Sequence, residues 1–529
     1  MTRQLGKKKV RLALALVLVP VALLTSKVTA SASDAMEVRT DAGVVRGAVS
    51  GETRVFKGIP YAAPPVEALR WKAPQPVKPW TGVRDATTAG SPCPQQDNSE
   101  APGGSTTEDC LYLNVTTPAK DSAKPHPVVV WIPGGGFFSG AGSNYGAAKL
   151  ATRGDVVVVT INYRLGIFGF FGYPGLPGSG TYGLQDQQAA LRWVQRNARS
   201  FGGDPRNVTV AGESAGGMSV CAQLTSPTSA GLFSKAIMQS GSCAFNWADN
   251  SQYPGQAADS FWVPQSRVQQ AGVEWAAASK DKLGCKPGQA MLDCLRAADP
   301  AVLTEDTLQF TQSAYGGSAV LPISPAKALK AGLFHRVPVL SGNNHDEATP
   351  WVAAFNGGKL TDADYPRLVK DMVGAKRAAA VLREYPLKDY ASAAEAWATV
   401  TTDRIWSCTQ VASDQQAARE VPVYAYEFAD KHSPLSQPGQ GAAHATELPY
   451  LFKLGGWDAP LTPTQQRLSD QMVDYWTAFA RTGNPNGPDR PHWAPVRQGD
   501  VRGLSLAPSD QGGVTKVDLT AEHHCDFWN

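Results

Sequence analysis

Asn207-Val208-Thr209-Val210-Ala211-Gly212-Glu213-Ser214-Ala215-Gly216-Gly217-Met218 decides how the rest of the chain is read. Residues 207–211 alternate polar and β-branched side chains as a strand does, and residues 215–224 can continue as a helix. Between them Gly212-Glu213-Ser214-Ala215-Gly216 has the G-x-S-x-G spacing of a strained strand-to-helix turn. Small neighbours are needed there because Cβ atoms would clash. Such a turn pushes the Ser214 hydroxyl out of the sheet and aims the Ala215 N–H at the same space. The positive helix N-terminus faces the point where an oxyanion would form. Chance occurrence in a glycine-rich chain is the competing reading; the flanking strand and helix favour a nucleophilic serine.

Outward from that turn, Pro127–Ile132 and Asp155–Ile161 are continuous β-branched runs, suited to strands buried on both faces of a parallel sheet. Further strands are expected at 235–239, 336–341 and 421–428, and helices at 183–198 and 465–481. The latter places Leu468, Met472, Tyr475 and Phe479 on one face and is closed by Gly483 and Pro485. Val38–Gly47 reads as two short strands about an Asp-Ala-Gly turn. Strands alternating with helices predict an α/β architecture, a large mostly parallel sheet wrapped on both sides. Residues 245–330 and 350–415, helical in pattern and rich in tryptophan, are expected as cap excursions over the C-terminal edge of the sheet. No repeat or linker divides the chain, so one domain is expected over 33–529.

Residues 1–30 read as a secretory signal peptide: Arg3, Lys7, Lys8, Lys9 and Arg11 precede an apolar run from Leu12 to Leu24, and small residues allow cleavage near Ala30 or Ala32. That run is too short to span a bilayer comfortably, and no cysteine precedes Cys93 to carry a lipid, so no stable membrane anchor is expected. Export also removes six basic residues and no acid, leaving 43 Lys and Arg against 46 Asp and Glu, a net of −3. Nothing in that balance suggests a nucleic-acid partner. Eight cysteines without a C-x-x-C pair in an exported chain point to disulfides rather than to a metal site.

Trp131-Ile132-Pro133-Gly134-Gly135-Gly136-Phe137 ends a strand in three glycines, whose N–H groups can face a cavity and join Ala215 as oxyanion donors. A nucleophilic serine needs a base and an acid. His444 lies in a small-residue loop after the 421–428 strand; His432 is its rival. Asp346 and Glu347 both follow the 336–341 strand, and either carboxylate could orient an imidazole.

Taken together these motifs resemble the type-B carboxylesterase/cholinesterase-like family of α/β hydrolases. The likeness runs from about Val38 to Trp528. It is carried by Phe56-Lys57-Gly58-Ile59-Pro60-Tyr61-Ala62, Glu108-Asp109-Cys110-Leu111-Tyr112-Leu113-Asn114, Gly134-Gly135-Gly136-Phe137 and Asn162-Tyr163-Arg164. Phe201-Gly202-Gly203-Asp204-Pro205, the Ser214 turn and Cys525-Asp526-Phe527-Trp528 complete it. The resemblance implies a Ser214–Glu347–His444 triad, with Gly135, Gly136 and Ala215 as oxyanion donors. It implies a small-molecule ester substrate, and neither cofactor nor metal. It also implies disulfides Cys93–Cys110 and Cys285–Cys294, and Cys408–Cys525 as in the cholinesterase branch; Cys221–Cys243 is the pair left over. Pro133, Ala348 and Ala445-Thr446 depart from the family pattern without removing a catalytic group. The expected function is a secreted carboxylesterase acting on neutral esters, since the Cys93–Cys110 loop has no aromatic residue to hold a quaternary ammonium. A lipase is the alternative within enzymes, and a non-catalytic adhesion protein the more distant one.

Overall fold

The computed structural model describes residues 1–2, 36–98, 102–120 and 122–528. The expected leader over 1–30 thus falls, beyond its first two residues, outside the described residues. From Met36 onward the chain clusters as one unit. Its frame is an eleven-stranded sheet. In chain order the strands are β1 (Ala48–Ser50), β2 (Thr53–Pro60), β3 (Tyr112–Pro118), β4 (His126–Ile132), β5 (Val157–Ile161) and β6 (Gly203–Glu213). They continue as β7 (Lys235–Gln239), β8 (Val339–Asn344), β9 (Val423–Phe428), β10 (Arg502–Leu506) and β11 (Val514–Asp518). Their spatial order is β11-β10-β9-β8-β7-β6-β4-β5-β3-β2-β1. From β10 to β5 every pairing is parallel, and antiparallel strands close both edges.

The β-branched runs form the centre because side chains of alternating strand residues feed two cores. Val128, Val130 and Ile132 of β4 join Val157, Val159 and Ile161 of β5 on one face. Val129, Trp131 and Val158 point to the other. On the first face lie α1 (Tyr182–Asn197), through Leu184, Leu191 and Val194, and α2 (Ala215–Thr225), through Met218 and Val220. The second face is covered by α5 (Pro463–Thr482), through Leu468, Met472, Tyr475 and Phe479. Helix α5 starts at a capping box between Thr462 and Gln465 and stops at Gly483, whose φ of 77° is the left-handed C-cap that glycine adopts without strain.

The strand expected at 336–341 runs instead from Val339 to Asn344, because pairing to β9 starts at Val339↔Val423 and continues through Asn344↔Phe428. Residues 245–330 are less helical than their pattern suggested: Trp262–Pro264 pairs in parallel with Ser313–Tyr315. The second excursion is helical, with α3 (Ala393–Thr401) and α4 (Cys408–Ala417) joined by a π-helical turn over Thr402–Ser407. Four disulfides join Cys93–Cys110, Cys221–Cys243, Cys285–Cys294 and Cys408–Cys525, the pairing expected for all eight cysteines.

Candidate active site

Ser214 sits between β6 and α2 with φ 56° and ψ −123°, a backbone conformation that costs a non-glycine residue roughly 1–3 kcal/mol. Its surroundings hold it there. The Ser214 N–H donates to Gln239 O of β7 at 2.9 Å, and its carbonyl accepts from Met218 N–H at 2.9 Å. A Cβ on Gly216 would lie 2.0 Å from the Ile132 carbonyl, so only glycine lets α2 approach β4 this closely.

The tri-glycine loop leaves the end of β4 beside this turn. A Cβ at Gly134 would meet the Glu213 carboxylate at 2.7 Å and Ser214 Cβ at 3.2 Å. Gly135 and Gly136 have φ of 101° and 58°, and together with Ser214, Ala215 and His444 they line a cavity of about 750 Å³. Ala215 opens α2, so its N–H has no carbonyl one turn back to receive it.

The register of β8 gives the two candidate acids different partners. With the strand ending at Asn344, the Glu347 carboxylate turns inward: Oε1 accepts from the Asn344 N–H at 2.8 Å and Oε2 lies 2.5 Å from His444 Nδ1. Asp346 faces elsewhere, accepting from Ala442 N–H at 2.8 Å and bonding His345 Nδ1 at 2.8 Å. His432, the rival base, donates its backbone N–H to Asp430 and does not line the cavity. His444 Nε2 is 3.3 Å from Glu213 Oε1. Burial disfavours the imidazolium, but Glu347 and Glu213 outweigh it and raise the His444 pKa to about 9.

Glu447 carried no motif, and the cap tryptophans Trp247, Trp351 and Trp406 were readable only as aromatics that could reach the pocket. Glu447 is fully buried; Asn344 Nδ2 and Gln239 Nε2 donate to its two oxygens at 2.8 and 2.9 Å. Burial first, then the Glu347 charge, push its pKa upward. Its position three residues after His444 puts it on the same turn, the one clue the sequence offered. Trp351 and Trp406 stack on each other at 5.4 Å and pack on the His444 ring at 5.2 and 4.6 Å. With Trp247 and Phe261 they form an aromatic wall of the cavity. The arrangement can orient and deprotonate a serine hydroxyl and receive negative charge on backbone N–H groups.

A family model described as the carboxylesterase family matches residues 34–528. The chain is 38% identical to the para-nitrobenzyl esterase of Bacillus subtilis (strain 168) over 470 residues, covering 85% of this chain and 90% of that one. It is 34% identical to the cocaine esterase of Homo sapiens over 516 residues, 92% of this chain and 88% of that one. A solved structure of a PNB esterase superposes with a TM-score of 0.76 at 32% identity, covering 94% of this chain and 100% of that one, and carries the same α/β-hydrolase fold. On these grounds the chain belongs to the carboxylesterase family and is a carboxylic ester hydrolase of the serine hydrolase type.

Proposed function

We propose that the chain is a secreted carboxylesterase that hydrolyses neutral carboxylic esters through an acyl-enzyme on Ser214. The observation that carries this is the 2.5 Å contact of Glu347 with His444 in one cavity with the strained Ser214 turn. His444 Nε2 takes the Ser214 hydroxyl proton as Oγ bonds to the ester carbonyl carbon. The carbonyl oxygen becomes an oxyanion received by the Gly135, Gly136 and Ala215 N–H groups. Collapse breaks the carbon–alkoxy bond, and the alcohol leaves with the proton held by His444. Water then attacks the acyl group, giving its proton to His444, and the acid leaves as Ser214 recovers its hydroxyl hydrogen. Glu347 holds the imidazole tautomer and stabilises the imidazolium. Each step uses side chains, backbone N–H groups and water.

The same reading takes residues 1–30 as a leader and 33–529 as a single domain; four disulfides support an exported location. Tyr253 and Leu308, 53% and 54% exposed at the rim of the cavity, favour a lipase as the second reading, since apolar rim residues suit an aggregated long-chain substrate. Hydrolysis rates over esters from acetyl to long-chain acyl groups, below and above the solubility limit, test both. Activity on dissolved short-chain esters is expected, and a rate that appears only above the solubility limit would replace the carboxylesterase reading with the lipase one.

A further inference from the structure

The C-terminal tail carries a buried histidine that the ester chemistry does not use. His523 is 4% exposed, and its two ring nitrogens each meet a carboxylate: Nδ1 lies 2.7 Å from Asp403 Oδ1 and Nε2 lies 2.9 Å from Glu427 Oε2. Asp403 and Glu427 are 1% and 3% exposed, and among the described residues neither pairs with a lysine or arginine. Two buried carboxylates need a cation between them or the cost of taking them from water is not offset. Tyr385 OH donates to Asp403 at 2.9 Å and Ser505 Oγ to Glu427 at 3.0 Å, which satisfies further lone pairs but supplies no charge.

Asp403 belongs to the π-helical turn Thr402–Ser407, and this turn borders the active site. Its Thr402 Oγ1 accepts the N–H of Ala348, the residue after Glu347, at 2.9 Å. Its Trp406 lines the cavity and packs on the His444 ring at 4.6 Å. The indole N–H of Trp406 has no hydrogen-bond partner among the described residues, so packing and the backbone turn alone set its place. A π turn carries one residue more than an α turn, which is less favourable than continuing the helix and survives where surrounding contacts impose it. The tail is fixed in turn by Cys525, two residues after His523, whose disulfide to Cys408 opens α4 directly after the turn.

We propose that His523 is a positioning residue of the esterase: by bridging Asp403 and Glu427 it holds the π turn that sets Trp406 against His444. Resting on the reading that esters react at Ser214, this makes the C-terminal tail a determinant of how large substrates fit. Glu427 anchors the clasp to β9, and Asp403 carries it to the pocket wall. The neighbouring charges include His345, whose ring lies 5.7 Å from that of His523, Glu522, bonded to His345 at 3.4 Å, and His524, which bonds Glu384 at 2.7 Å and packs on Tyr385 at 4.8 Å.

The test compares His523→Gln with the parent on two esters, 1-naphthyl benzoate, which is aromatic at both ends, and methyl acetate, which has no ring to pack on the wall. We expect kcat/KM for the naphthyl ester to fall about tenfold or more, chiefly through KM, with methyl acetate within about threefold. The double variant Asp403→Asn/His523→Gln breaks the same clasp and should lose no more than His523→Gln alone, since only Glu427 is then left without its cation. Labelling of Ser214 by a small phosphonate should keep its parental rate in His523→Gln. Equal losses on the two esters, no loss on either, or a further large loss in the double variant overturns the inference. Should His523→Gln fail to fold, Asp403→Asn must give the same contrast between esters, and equal effects there overturn it too. Failure of the parent itself to label at Ser214 would instead sink the reading of the site.

Discussion

Glu213→Gln should move the acid limb of the pH profile to lower pH. His444 must be neutral to accept the Ser214 proton, so kcat/KM rises with pH through the His444 pKa. Glu213 Oε1 lies 3.3 Å from His444 Nε2, and its charge is one of the two largest influences raising that pKa to about 9. Two unit charges at such a distance attract by about 5 kcal/mol at an effective dielectric of about 20, an upper figure before desolvation is counted. Measured neighbours of this kind move a pKa by roughly 1–3 units. Glu347 stays in place in the variant, so the expected displacement is about 1–2 units, or about 1.4–2.7 kcal/mol. Glutamine keeps the shape and removes only the charge. The assay is kcat/KM for a neutral acetyl ester from pH 5 to 10, with the parent and variant limbs fitted separately. A limb that stays put while activity drops uniformly would refute the coupling and leave Glu213 with a packing role only.

Glu347→Gln should lower kcat on the order of 10³–10⁴-fold, as neutralising a triad acid does, while Asp346→Asn stays within about tenfold of the parent; steady-state rates on one ester rank them. Asp414 is fully buried on α4, receives Ser341 Oγ at 2.5 Å and Gln410 Nε2 at 2.9 Å, and is pushed by burial to about 7. Between the unfolded value near 4 and that pKa the folded chain holds a proton the unfolded chain has lost, so this residue makes stability fall as pH rises. Asp414→Asn should therefore gain about 4 kcal/mol over the parent at pH 8 and little at pH 4, read by denaturant unfolding. A choline ester should show no advantage over its neutral 3,3-dimethylbutyl isostere; a kcat/KM about tenfold higher for the choline ester would reveal a cation–π site in the tryptophan wall.

What the sequence disclosed about the site followed from how local each signal was. The Ser214 turn and the glycine loop are contiguous, and their conformations depend on residues within a few positions, so both were legible. The choice between Asp346 and Glu347 was not, because it depends on where β8 ends, and the pairing to β9 carries that strand three residues further than its β-branched core suggests. The Cys221–Cys243 pair was reachable only as a remainder. Its cause is three-dimensional: Gly217 brings α2 against β7 so closely that a Cβ there would lie 2.6 Å from Gln239 O. Trp406 was legible as one of the cap tryptophans, with Trp247 and Trp351, that could offer an aromatic to the pocket; its packing on His444 was not, since helical periodicity does not register the extra residue of a π turn. His523 was hidden for a related reason, since its partners come from distant segments that no spacing along the chain reveals, and Glu447 offered only its nearness to His444.

The claim that Ser214 is the nucleophile is tested most directly by reaction with a fluorophosphonate followed by mass mapping of the modified peptide, run on the parent and on Ser214→Ala. One adduct per chain on Ser214 is expected, together with complete loss of label and a fall in ester hydrolysis on the order of 10⁴–10⁶-fold in the variant. An adduct on any other residue, or a Ser214→Ala enzyme that keeps a substantial share of its activity, would contradict it.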